Sequence, residues 1–447
     1  MSQSYLLVIA FLSIFLLLLL IIKAKLHAFA ALLLVSLVLG IASGMPLDTI
    51  INSFKKGIGD TLGFVAIIVG LGAMFGQILE VSGGGEGLAE KMIGLFGEKR
   101  APLALGLAGF IVAIPVFFEV GFIILVPIIY NLTKKTKRSL LFYGLPLLAG
   151  LSVAHNYIPP TPGPLAVADL IGVKLGWVIL FGSLAGLPAM LIAGPLFGTF
   201  IASKIDVQIP DYIPIEEKPA SIDPPSYLLV VSLILVPIGL ILINTFSSAI
   251  FPQNSTVREI LTFIGHPFTA LIITTLLAFY FLGIKKGFSA QQVQLIATKA
   301  LEPAGIIILV IGAGGVFKQI LIDSGIGNIL AELVDYSPLP PILLSFLVAA
   351  GVRIAQGSST VAMITAGGLI SPVISSWHMT QPELGLIVIA IASGSTILSH
   401  VNDSGFWLIN RYFGMNIPDT VKSWTLMETI ISLSGFIMVC LIYSLIN

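Results

Sequence analysis

Apolar residues run along this chain in long blocks separated by short polar connections, without the two-residue alternation of a half-buried strand. Blocks near 4–22, 27–44, 60–80, 140–172, 175–202, 226–250, 260–283, 301–322, 384–413 and 424–446 each approach the roughly 20 apolar residues with which a helix crosses a bilayer. Two further stretches, 101–132 and 340–375, are long but carry polar residues at their middles, which predicts hairpins that enter and return. The blocks 140–172 and 384–413 are interrupted by "HNYIPPTPGP" (155–164) and "SHVNDSGFW" (399–407), which predicts two broken helices.

Composition agrees with the pattern. Of 447 residues, 57% are hydrophobic and 10% charged, with mean hydropathy +1.06; soluble domains carry about 25% charged residues. The chain is expected to be an all-α, multi-pass protein of a bacterial-type cytoplasmic (inner) membrane, with the lipid bilayer as its partner and little mass outside it. Zero net charge argues against nucleic acid. The single cysteine, Cys440, excludes an internal disulfide framework. The first block is long enough to span and lacks a basic leader, so no cleavable signal is expected. No G-x-x-x-x-G-K-[ST] run is present, which removes ATP-driven transport by this chain alone. Five histidines without H-E-x-x-H offer no metal site, and no cofactor is expected. "GIGD" (57–60) matches the glycine–aspartate motif of intramembrane aspartyl proteases, but four residues alone are a weak match.

Basic residues set an orientation through the cytoplasmic bias. Lys23, Lys25, Lys99, Arg100, the 134–138 cluster, Lys204, Lys218, Lys285, Lys286, Arg411 and Lys422 share one side if both hairpins return, against Lys55, Lys56, Lys174 and Arg258 on the other. The chain also repeats itself: "GAMFGQILEVSGG" (72–84) resembles "GGVFKQILIDSGI" (314–326), and "LAE" follows in register at 88–90 and 330–332. After the first copy Leu88, Met92, Leu95 and Phe96 share a helical face, the pattern of an interfacial helix. One extra block, 226–250, lies between the copies, so the second is expected to enter from the opposite side. Inverted repeats with broken helices mark secondary transporters. The expected organisation is a first span (1–25), repeat 1 (26–203), a linker with a connecting span (204–255) and repeat 2 (256–447).

Candidate site residues follow from depth. At a mid-membrane break the freed backbone groups must find partners, and half-helix N-termini attract carboxylates. The breaks contribute Asn156, Thr161, Gly163, His400, Asn402, Asp403 and Ser404, and the second hairpin tip Gln356, Gly357, Ser358, Ser359 and Thr360. Hydroxyl and amide groups there suit carboxylate and alcohol oxygens. Arg353 is a partner for Glu119, for Asp403 or for a substrate carboxylate. Glu119, in the first tip among phenylalanines, and Asp403 and His155 are the candidates for taking up and releasing a proton. The tryptophans include expected interface anchors.

"FFEVG" (117–121), "H…PP.PGP" (155–164), "GSSTVAM" (357–363) and "SHVNDSGFW" together resemble the gluconate:proton symporters (gluconate permease family) of the ion transporter superfamily, along nearly the whole chain. Thr161 stands where the family often has a second histidine, in "PPHPGP". The resemblance implies uptake of a gluconate-like sugar acid with a proton, by a homodimer of elevator type in which a mobile body carries the site past a fixed scaffold. Symport of another small carboxylate (a dicarboxylate or D-serine), coupling to sodium, an intramembrane hydrolase and an ion channel stand as the alternatives.

Overall fold

The computed structural model describes residues 3–210, 224–252, 254–326, 329 and 339–446, and every regular element among them is helical. Among the described residues, seven helical segments are long and apolar enough to cross a membrane, Leu140–Ile171 counted as one despite its break. Helix α1 (Gln3–Ile22) and α2 (Ala28–Ala42) lead into α3 (Leu47–Val81), an unbroken helix of 35 residues. The predicted span 60–80 is therefore only its second half. Lys55 and Lys56 interrupt the apolar run but not the helix, because they lie on its exposed face while Ile50, Ser53 and Gly57 are buried.

Next come α4 (Gly84–Phe96), α5 (Ala101–Val112), α6 (Phe118–Thr136), α7 (Leu140–Tyr157), α8 (Pro162–Ile171) and α9 (Leu175–Ala202). In α4 the expected apolar face is only partly realised: Leu88 and Met92 are buried, whereas Leu95 is exposed. The matching stretch of the second repeat, with its "LAE", lies outside the described residues. The connecting span is α10 (Tyr227–Ile250). The predicted span 260–283 divides into α11 (Thr256–Ile264) and α12 (Pro267–Lys286). Pro267 at the first turn ends any continuation from α11, and His266 Nδ1 accepts the Phe268 N–H to cap α12. The chain closes with α13 (Ala290–Asp323), α14 (Pro341–Gln356), α15 (Ser359–Ile370), α16 (Gln381–Thr396), α17 (Ser404–Tyr412) and α18 (Ile417–Ile446).

The two halves run in step. Corresponding helices begin at Leu47 and Ala290, Ala101 and Pro341, Phe118 and Ser359, Leu140 and Gln381, Pro162 and Ser404, Leu175 and Ile417. The "FGQIL" and "FKQIL" copies fall near the ends of α3 and α13, and these two helices pack antiparallel. Gly57 meets Gly315, while Gly70, later in α3, meets Leu301, earlier in α13. A Cβ at Gly57 would lie 2.6 Å from the Gly315 carbonyl oxygen, so the glycine permits the crossing. The two copies thus lie on helices that run in opposite directions.

The chain doubles back between α5 and α6 and between α14 and α15. At 12 residues, α5 is about 18 Å long, short of the roughly 30 Å of hydrocarbon. Each hairpin seats its first arm on the first half of the following broken helix, through the same device. Gly150 of α7 lies against the Gly106 carbonyl of α5, and Gly394 of α16 against the Phe346 carbonyl of α14. Neither position has room for a Cβ. The breaks themselves, 158–161 and 397–403, separate α7 from α8 and α16 from α17.

Candidate functional site

Asp403 is the N-cap of α17, where a short carboxylate accepts a free N–H of the first turn. Its Oδ1 accepts from Gly405 N at 3.1 Å, and its Oδ2 accepts from Arg353 Nη2 at 2.6 Å and from the Ser399 hydroxyl. Ser399 in turn accepts from Trp424 Nε1 at 2.7 Å, and its carbonyl from the Thr425 hydroxyl. Of the partners left open for Arg353 by the sequence, the structure selects Asp403. The pair is buried, with side-chain exposures of 3% and 11%.

Arginine reaches this point because α14 ends there. Gly357 adopts φ +95° and turns the chain into α15, whose N-cap Ser358 accepts from Val361 N. The turn presses against the second break so closely that a Cβ at Gly357 would overlap the Asn402 backbone. Asn402 Nδ2 donates to the Ile354 carbonyl at 3.0 Å, with His400 Nε2 3.3 Å from the same oxygen. Gln356 Nε2 reaches the Ser358 carbonyl. Gly357, His400 and Asn402 therefore fasten the hairpin tip to the break, and Gln356 is engaged within the tip itself.

Between tip and break lies a cavity of about 70 Å³. Nine predicted residues line it: Glu119, His155, Asn156, Arg353, Ser358, Ser359, Thr360, Asp403 and Ser404. Four of its polar side chains keep buried atoms without a hydrogen-bond partner among the described residues: Arg353 Nε and Nη1, Asn156 Oδ1, His155 Nδ1 and Glu428 Oε1. Asn156 Nδ2 is used, donating to the Ser152 carbonyl at 2.9 Å. Glu119, His155, Ser358 and Thr360 also border a second cavity of about 480 Å³, walled by Phe117, Pro303, Ile306 and Val310. That size falls within the roughly 300–1,000 Å³ of small-molecule pockets, and its apolar wall leads to the polar cavity. A roomier groove of about 760 Å³ beside α11 holds none of the predicted residues.

Two predicted residues lie elsewhere. Thr161 is buried beside Val69, Gly72, Pro115 and Pro160, its hydroxyl donating to the Ile158 carbonyl at 2.5 Å. Gly163 packs against the Met363 side chain. Sequence reasoning also missed cavity residues, chiefly Glu428 and Ser152. Glu428 was detectable as a lone carboxyl in the apolar run of α18, since ionisable residues inside a span are rare and functional. Trp424 is not among the interface anchors expected of the tryptophans: it is 3% exposed, and its indole N–H is committed to Ser399.

Comparison with known proteins places this geometry in context. The family model of the GntP family permeases matches residues 5–446. The low-affinity gluconate transporter of Escherichia coli (strain K12) is 44% identical over 435 residues, 97% of each chain. The gluconate permease of Pseudomonas aeruginosa is 41% identical over 98% of each chain, and the Gnt-II system L-idonate transporter of Escherichia coli is 36% identical over 97% of this chain and 98% of its own. Among solved structures the Alcanivorax borkumensis YdaH transporter shares the fold, with TM-score 0.63 over 93% of this chain and 98% of its own at 14% identity. The chain belongs to the GntP permease family, and is a multi-pass inner-membrane transporter, not an enzyme.

Proposed function

We propose that the protein imports gluconate or a closely related sugar acid together with a proton. The observation that carries this reading is the buried Arg353, with Nε and Nη1 unpartnered, beside the hydroxyls of Ser358, Ser359 and Thr360. A guanidinium edge offers a carboxylate two parallel N–H donors; here Nε or Nη1 would act beside the second N–H of Nη2, whose first goes to Asp403. Serine, threonine and asparagine side chains both donate and accept, as the alcohol groups of a sugar acid require. Relatives named for gluconate and L-idonate support the same substrate class.

A monocarboxylate suits the cavity better than a dicarboxylate, because the lining holds one guanidinium and three carboxyl groups, Glu119, Asp403 and Glu428. A second substrate carboxylate would find no second guanidinium or ammonium in the lining. The same imbalance favours proton coupling: an anion enters an already acidic cavity at lower cost when a proton comes with it. Importing a monoanion against an inside-negative potential also costs about 2.3 kcal/mol per 100 mV, which one proton cancels. In this reading the two hairpins are re-entrant, and they move with the broken helices as one body against the α3–α13 pair, exposing the site to each side in turn. The protein works as a homodimer, which cross-linking in native membranes tests.

Labelled gluconate uptake into proteoliposomes, with and without an imposed pH gradient, tests the reading. Uptake driven by the pH gradient and competed by L-idonate is expected. Sodium dependence without pH dependence would replace the coupling ion, and absence of uptake under any gradient would remove the substrate.

A further inference from the structure

We propose that Glu428 is the group that takes up and releases the coupled proton; this rests on the import reading above and assigns its coupling residue. Glu428 lies on α18, is 2% exposed and lines the small cavity with its Oε1 unpartnered among the described residues. Ser152 of α7 neighbours it, and Arg353 of α14, Asp403 of the second break and Tyr157 of α7 lie within electrostatic reach of it. Glu119 of α6 and His155 of α7 face it across the cavity.

The other two carboxyl groups are less suited. Both Asp403 oxygens are engaged, Oδ1 by Gly405 N and Oδ2 by Arg353 and Ser399. A proton there would displace a donor that holds the break together. Glu119 is exposed and borders the larger cavity, so its access does not depend on whether the small cavity is occupied. Glu428 alone is enclosed, unengaged at one oxygen and adjacent to the guanidinium.

The coupling follows from sharing one cation. In the empty site Arg353 faces Asp403 directly, with Glu428 nearby. When a substrate carboxylate takes a free N–H of the guanidinium, Nε or Nη1, a single guanidinium faces three carboxyl groups in a water-poor space. A proton from solution then adds to the Glu428 carboxylate, giving the neutral acid, and leaves to the opposite side when the substrate departs. Substrate and proton raise each other's affinity by the same factor, as linkage requires.

Full-length protein in proteoliposomes tests the assignment. A one-unit pH gradient holds the equivalent of about a tenfold accumulation for one proton per substrate, and the wild type is expected to concentrate gluconate toward that limit. Glu428→Gln is expected to equilibrate gluconate without concentrating it, with pH-independent uptake, and Glu428→Asp to regain part of the accumulation. If Glu428→Gln concentrates gluconate like the wild type, the assignment is overturned while the import reading stands. A wild type that never responds to the pH gradient overturns both. Should Glu428→Gln fail to fold, the wild type decides alone: dicyclohexylcarbodiimide, which attacks protonated carboxyl groups in apolar surroundings, is expected to modify Glu428 as mapped by peptide mass spectrometry. Modification confined to Glu119 overturns the assignment.

Discussion

Asp403→Asn is the most informative perturbation of the fold around the site. Asparagine keeps an oxygen for the Gly405 N–H, so the cap of α17 survives, but the charge opposite Arg353 disappears. The guanidinium is then left 3% exposed with its 2.6 Å partner replaced by a neutral amide. Removing one member of a buried pair costs about 3–5 kcal/mol, whereas replacing both by neutral groups is often close to neutral. Glu428 lies within electrostatic reach of the guanidinium, which places the expected loss at the lower end, about 3 kcal/mol. Arg353→Met should cost a similar amount, because Asp403 keeps only the Ser399 and Gly405 donors. The double variant should recover most of the stability, giving a coupling of about 2 kcal/mol or more. Chemical unfolding of purified protein in detergent measures the cycle, and fluorescence of a background with Trp424 as its sole tryptophan, whose indole donates to Ser399, follows the break itself. Strictly additive single effects would refute the argument. The double variant should still transport nothing, since no guanidinium remains for the carboxylate.

Other expectations test separate parts of the structure. Ser359→Ala and Thr360→Val each remove a hydroxyl from the cavity lining; at about 0.5–1.5 kcal/mol per hydrogen bond, the KM for gluconate uptake should rise about 2- to 10-fold. Gly150→Val and Gly394→Val force a side chain into a helix crossing, where overpacking costs about 1–3 kcal/mol or more; both should lose the monodisperse peak in size-exclusion chromatography, and to similar degrees. At the two ends of the first hairpin, Lys135 pairs with Glu98 in full exposure, which holds the Glu98 carboxyl below its ordinary range and raises the Lys135 ammonium. The carboxyl's contribution to stability is therefore present above its unfolded-state value and is lost as pH falls through the lowered one. Because water screens the pair, thermal unfolding of Glu98→Gln at neutral pH should match the wild type.

The sequence carried the fold further than the site. Apolar runs, the "FGQIL"/"FKQIL" copies and two polar interruptions are local signals, and each corresponds to a helix, a repeat or a break. Helix ends were less legible. Lys55–Lys56 looked like a boundary because a run of residues does not reveal which face of a helix meets solvent. At the site, nine residues chosen for chemistry at the tips and breaks meet in one cavity, because breaks concentrate unsatisfied polar groups. Glu428 and Ser152 lie in unbroken helices, where nothing local announces that α7 and α18 pack beside the hairpin tip. Gln356, His400 and Asn402 have the right chemistry, but the tight turn at Gly357 commits their polar groups to the backbone.

The repeat predicts a second cleft, and its contents separate symmetry of fold from symmetry of chemistry. Thr161 precedes α8 as Asp403 precedes α17, and Glu119 follows the first tip as Thr360 follows the second. Yet the cleft at Thr161 is walled by Val69, Gly72, Ile114, Pro115 and Pro160 and measures about 10 Å³, too small for more than a single water. Prolines shape this break without offering N–H donors, and the Thr161 hydroxyl is already spent on the Ile158 carbonyl. Nothing there can pair with an anion, whereas the second cleft has a guanidinium, hydroxyls and an unengaged carboxyl. Thr161→Val should consequently cost only about the 1 kcal/mol of a local hydrogen bond and leave gluconate affinity near that of the wild type. A tenfold or greater rise in KM for Thr161→Val, with normal protein levels in the membrane, would mean that the first break opens onto the substrate during the transport cycle.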